Sequence, residues 1–209
     1  TEKVVSGGKD CYRVRLNEKA LASVSANGSN ATVLSDAKGY YVDVPVSDCP
    51  NGYLYISATD YAGANIRTYI NTSTDDFFAV THQKMAMNVE LNLDISVGAD
   101  GCKTFKFDPI QKKTPLDLSD AIFAITVGEI DVSKFKVYVL NGSGQYTSIE
   151  YTYNDGVIKF QTPFKTVSLS PEGTIPNPTP VPPTPDGGNN MGLIIGLSVG
   201  GGVLLIGAR

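Results

Sequence analysis

The chain has 209 residues, 42% of them hydrophobic and 18% charged, with 17 Lys plus Arg against 21 Asp plus Glu and a formal net charge of −4. That length and apolar content suffice for one or two packed cores and exclude a disordered tail. The basic residues are outnumbered and scattered, so there is no cationic stripe to displace counterions from a nucleic-acid backbone, and nucleic acid is not an expected partner.

In chain order, Thr1 is not a methionine and no signal-peptide pattern precedes the first strand, so the chain reads as a mature form or as part of something longer, and Arg209 reads as a cut. Strands are expected over 11–16, 20–24, 31–34, 40–46, 53–59 and 66–71, separated by turn chemistry at Asn27-Gly28-Ser29, Ala37-Lys38-Gly39, Cys49-Pro50-Asn51-Gly52 and Asp60-Tyr61-Ala62-Gly63. The segment Gly52-Tyr-Leu-Tyr-Ile-Ser-Ala-Thr-Asp-Tyr-Ala-Gly-Ala-Asn-Ile66 resembles the penultimate hairpin of bacterial-type immunoglobulin-like modules in surface proteins. In those modules a strand ending in Ala-x-Asp passes through an Ala-Gly-Asn turn; here Ala64 is inserted. About fifteen residues match, and what the resemblance implies is a fold and no activity.

An interdomain segment is read around Asp75, Asp76 and the single histidine, His82. Beyond it Met85, Met87, Val89, Leu91, Leu93, Ile95 and Val97 stand at every second position with polar or small residues between them, the pattern of a strand with one face in a core. Further strands are expected over 102–107, 121–127, 135–140, 146–153, 157–160 and 164–169, with turns at Asn141-Gly-Ser-Gly144 and Asn154-Asp-Gly156. Seven strands in about ninety residues fit a second β-sandwich. The run Val157 to Leu169 is similar to the closing hairpin of modules that stand next to the anchor in cell-surface proteins, with Pro163 where those carry a turn histidine.

Seven of the 12 prolines fall between Pro171 and Pro185, a density that favours polyproline II and a semi-rigid stalk. Met191 to Ala208 carries no charge and is long enough to cross a bilayer as a helix, with Arg209 at its boundary. Gly188, Gly192, Gly196 and Gly200 recur every fourth residue. They either form a face for helix dimerisation or reflect the general frequency of glycine in membrane helices.

Outside a cell, Cys11 and Cys49 are the candidate disulfide. Cys102 is left over, to pair upstream, to pair between chains or to stay a buried thiol. Four sequons, at Asn27, Asn30, Asn71 and Asn141, are candidate glycosylation sites, each at an expected turn or loop edge. Gly196-Leu-Ser198-Val-Gly200 matches the serine-hydrolase elbow in letters only, since it lies in the apolar run and His82 has no partner for a triad. No Cys-x-x-Cys pair suggests zinc. Calcium is not expected at the acidic pairs Asp75 and Asp76, Asp94 and Asp100, or Asp117 and Asp120, nor at Asp60.

The expected architecture is all-β: two tandem immunoglobulin-like β-sandwich domains over 1–75 and 76–170, a Pro/Gly-rich stalk over 171–190 and one transmembrane helix over 191–208. The expected role is the membrane-proximal ectodomain of a single-pass type I cell-surface protein. It would act in adhesion, recognition or presentation toward an extracellular protein or glycan, without catalysis or cofactor, held by the lipid bilayer and with a homodimer possible through the helix. The rival role is a set of non-catalytic C-terminal modules of a larger surface enzyme such as a protease.

Overall fold

The computed structural model describes residues 1–16 and 21–177. Within the first half the strands are β1 (Glu2–Ser6), β2 (Lys9–Arg15), β3 (Leu21–Ala26), β4 (Ser29–Asn30), β5 (Leu34–Asp36), β6 (Gly39–Pro45), β7 (Tyr53–Asp60) and β8 (Asn65–Asn71). The chain continues with β9 (Ala79–Thr81), β10 (Val89–Val97), β11 (Lys103–Gln111), β12 (Thr114–Pro115), β13 (Ile122–Thr126) and β14 (Phe135–Leu140). It ends with β15 (Tyr146–Ser148), β16 (Thr152–Asn154), β17 (Val157–Phe160) and β18 (Thr166–Pro171).

Three antiparallel sheets result. The first has the order β1-β2-β6-β5, the central one the order β16-β17-β13-β9-β8-β7-β3-β4, and the third the order β10-β11-β18-β14-β15 with β12 beside β11. Two cores form on opposite faces of the central sheet, because successive side chains of a strand point to opposite sides. On β8 and β9, Ile70 and Ala79 face each other in the core shared with the first sheet. Tyr69 and Val80 face each other in the core shared with the third sheet. The first core gathers Tyr12, Val14, Val42, Val44, Leu54 and Ile56. The second gathers Val137, Val139, Ile158 and Val167 around the rings of Phe78, Phe105, Phe107, Phe123 and Phe160. The Phe78 ring lies 5.1 Å from that of Phe107 and 5.7 Å from that of Phe105, and Phe107 lies 4.7 Å from Phe123.

This corrects the sequence reading in several places. The segment expected to link two modules contains β9, which bonds to β8 on one side and β13 on the other, so the central sheet runs through the expected boundary. Phe77-Phe78-Ala79-Val80 has no period of two because both faces are buried: Phe77 and Ala79 enter the first core, Phe78 and Val80 the second. The alternating run begins at Val89, not at Met85. Met85 is buried from a turn, while Met87 is 48% exposed. The expected closing hairpin is split, since β17 lies in the central sheet and β18 in the third. By contrast, β7 and β8 do form a hairpin, with seven paired positions from Tyr53↔Asn71 to Thr59↔Asn65.

The expected architecture is also corrected at its helix. The described residues are all-β, their only helical segments are 3-10 turns at Val46–Asp48 and Val132–Lys134, and none of their helices is long and apolar enough to cross a membrane. The apolar run 191–208, Gly188, Gly192, Gly196 and Gly200, Ser198, and the expected stalk from 178 onward lie outside the described residues. The first residues assigned to the stalk belong to the body: Pro171 closes β18 opposite Phe135, the Glu172 amide donates to Lys134 at 2.7 Å, and Pro176 is buried.

Candidate functional site

The expected disulfide is absent: Cys11, Cys49 and Cys102 are free and buried. Strand parity separates the first two. Cys11 shares its face of β2 with Arg13 and Arg15, whereas Cys49 packs into the first core on the other side of that sheet. The Cys49 thiol donates to the Pro45 carbonyl at 3.9 Å, the Asn27 side-chain amide donates to its sulfur at 3.8 Å, and burial pushes its pKa up, helped by Asp48. Cys102 is 3% exposed, and burial pushes its thiol up as well.

The four sequon asparagines occupy different environments. Asn27, at φ 46°, is built into the fold: its carbonyl oxygen accepts the Tyr55 amide at 2.8 Å and its amide nitrogen donates to Asp48 at 2.9 Å. The atom that would carry a glycan is thus already in use. Asn30 is exposed on β4. Asn71, at the end of β8, and Asn141, at the start of a turn, are half-buried and cap with their carbonyl oxygens, Asn71 accepting from Ser73 at 3.1 Å and Asn141 from Ser143 at 2.9 Å and Gln145 at 3.0 Å.

Six of the titratable residues singled out in the sequence, Asp60, Asp75, Asp76, His82, Asp100 and Asp117, have structural partners. Asp75 pairs with Lys3 at 2.7 Å and Asp76 with Lys103 at 2.5 Å. Asp100, Asp117 and Asp60 accept backbone N–H groups from Cys102, Ser119 and both Ala62 and Ala64. His82 accepts the Lys84 amide on Nδ1 at 3.0 Å. Among the described residues no three His, Cys, Asp or Glu side chains converge in a geometry that could hold a metal ion.

Two open grooves mark the surface of the described residues. One, of about 570 Å³, crosses the outer face of the third sheet between Asn92, Asp94, Lys106 and Asp108, where opposite charges already face each other in register, Asp94 against Lys106, and Lys165 pairs with Asp108. The other, of about 610 Å³, lies where the chain leaves the third sheet for the central one, and it is lined by aromatic rings. We take this second groove as the candidate site.

Its geometry follows from a strand that stops early. β15 pairs with β14 at Tyr138↔Ser148, Val139↔Thr147 and Leu140↔Tyr146, and the Ile149 amide still donates to Val137 at 3.0 Å. Continuing that register would place Tyr151 opposite Phe135. Instead the chain turns away after Ile149 and enters the central sheet as β16. The Tyr151 hydroxyl reaches back to the Phe135 carbonyl at 3.3 Å and to the Val132 carbonyl at 3.3 Å, taking the place of the missing ladder bond. The rings of Phe135 and Tyr151 lie within 14° of parallel at 6.1 Å. Tyr153 is held similarly, its hydroxyl donating to Gly128 at 2.9 Å and accepting from Ile130 at 3.4 Å. Two half-buried phenol rings are thereby held at their polar ends, the half-buried Phe135 ring is stacked with one of them, and burial pushes the Tyr151 phenol up.

Lys136, Ser148 and Glu150 stand exposed at the groove's rim. Ser133 donates to Asp131 at 2.6 Å, but the same carboxylate accepts the Ser133 amide at 3.1 Å, which makes the pair the cap of a 3-10 turn and not a nucleophile with its base. The chemistry on offer is stacking and hydrogen bonding. The sequence hid this site because 146–153 reads as one continuous strand, with Ile149, Tyr151 and Tyr153 at every second position. No family model, curated protein or solved structure matches this chain.

Proposed function

We propose that this chain is a recognition module of the cell-surface type, which presents the groove of Phe135, Tyr151 and Tyr153 to a ligand outside the cell and acts by adhesion. The observation that carries this reading is the aromatic groove at the sheet edge: the Tyr151 and Tyr153 rings are held by their hydroxyls and Phe135 is stacked with Tyr151 before any ligand arrives, so little side-chain entropy is lost on binding. The exposed sequon at Asn30 and the turn sequons at Asn71 and Asn141 support an extracellular setting. The likeness of the β7–β8 hairpin to those of immunoglobulin-like surface modules belongs to the same reading.

Retention of the labelled chain on intact cells and on extracellular-matrix coatings tests the proposal. Saturable retention that is lost in Phe135→Ala and Tyr153→Ala chains of unchanged circular dichroism is expected. Retention that is absent, or that these substitutions leave untouched, contradicts it.

A further inference from the structure

The rim and floor of the groove carry the reading one step further. We propose that its occupant is a neutral oligosaccharide, an inference that rests on the recognition function above. Pyranose rings present a flat face of C–H groups carrying partial positive charge, which matches the negative face of an aromatic ring in the way the positive edge of a second aromatic does. Phe135 and Tyr151 lie nearly parallel, within 14°, which suits a flat ligand better than the mutually angled walls that enclose a cation. The Tyr151 hydroxyl and the Phe135 carbonyl are engaged with each other, so what these two residues offer a ligand in the groove is the carbon surface of their rings.

The rim supplies one ammonium donor at Lys136, one carboxylate acceptor at Glu150 and a hydroxyl at Ser148. These sum to no net charge, and they match a polyol, in which every hydroxyl both donates and accepts. A charged ligand would gain from one of these two side chains about what it lost to the other, so the rim favours neither sign. The volume of about 610 Å³ falls within the range of small-ligand sites, and the open shape allows a chain to pass through. A peptide adding itself as a strand is disfavoured at the same place, because the Phe135 carbonyl that would accept its first ladder bond is already capped by Tyr151.

The test is a titration of the full chain, labelled for amide NMR, with cellohexaose, xylohexaose, mannohexaose and chitohexaose, and separately with an extended uncharged hexapeptide. At least one saccharide is expected to move the amides of 132–136 and 148–153, and Phe135→Ala to weaken it by roughly tenfold or more. Because truncating Phe135 can disturb the fold, Ser148→Arg is the second variant: it fills the groove from the exposed edge strand and is expected to abolish the shifts with the rest of the spectrum unchanged. No shift with any of the four saccharides at about 10 mM, or shifts unaffected by Ser148→Arg, overturns the inference. So does a hexapeptide that moves these amides while the saccharides do not. If cell-surface retention persists while all saccharides fail, the recognition function stands and only the ligand class falls; if both fail, so do both proposals.

Discussion

Tyr69 shows how a single side chain records the layered build of the molecule. It projects from the central sheet into the second core, 6% exposed, and burial pushes its phenol up to about 12, with Tyr53 stacked beside it at 5.2 Å adding to the shift. A raised folded pKa favours the neutral form, so this contribution is fully present below the ordinary tyrosine value near 10 and is lost as pH rises from there through about 12. Urea unfolding at pH 8 and pH 11.5 should therefore show an alkaline loss of stability that shrinks, by about 1–2 kcal/mol, in Tyr69→Phe. An acid counterpart sits on the outer face of the first sheet, where Arg13 holds Asp43 through two bonds of 2.8 Å and lies 4.0 Å over the Tyr41 ring. The Arg13 hydrogen bonds hold the Asp43 carboxyl below its usual value. Its stabilisation is present above about pH 4 and disappears as pH falls through the depressed value, so Asp43→Asn should flatten the acid limb of a stability curve measured from pH 6 to pH 2.

At the scale of elements, what the sequence made legible was whatever has one wet face. β10 was visible from Val89 to Val97, and the β7–β8 hairpin from its Asp60 turn, where one carboxylate oxygen accepts the amides of Ala62 and Ala64, both at 2.9 Å. β9 was invisible because the run Phe77-Phe78-Ala79-Val80 is apolar on both faces and the strand itself, Ala79–Thr81, is only three residues long, so the segment read as a link. The groove was invisible for a different reason: nothing in 146–153 marks the point at which the chain changes sheets, and the hydroxyl that replaces the lost ladder bond belongs to a residue indistinguishable from its neighbours in pattern. The expectation that Cys11 and Cys49 pair rested on spacing alone and fails, because their opposite faces appear only once the strand parity of β2 is fixed. The role of β9 is testable by Val80→Pro, which removes a ladder N–H from a strand with neighbours on both sides. A loss of about 3 kcal/mol or more is expected by chemical denaturation, far beyond the cost of an equivalent proline in the edge strand β1.

For the whole molecule, the decisive feature is that neither core has a sheet of its own on both sides. The first core is closed by one face of the central sheet and the second by the other, and β8 and β9 contribute residues to both. Separation into halves would expose the apolar face of that sheet in each, so unfolding is expected to be a single cooperative event. The same continuity bears on the proposed recognition role: the third sheet that carries Phe135 and the central sheet that carries Tyr153 close one core between them, which suits a groove meant to hold its shape under load. Native-state amide hydrogen exchange on the full chain tests this most directly. The account predicts that Val42 in the first sheet, Val80 in the central strand and Val137 in the third sheet exchange with one common free energy equal to that of global unfolding. Two distinct free energies, with Val42 opening while Val137 stays protected and Val80 no slower than either, would contradict it.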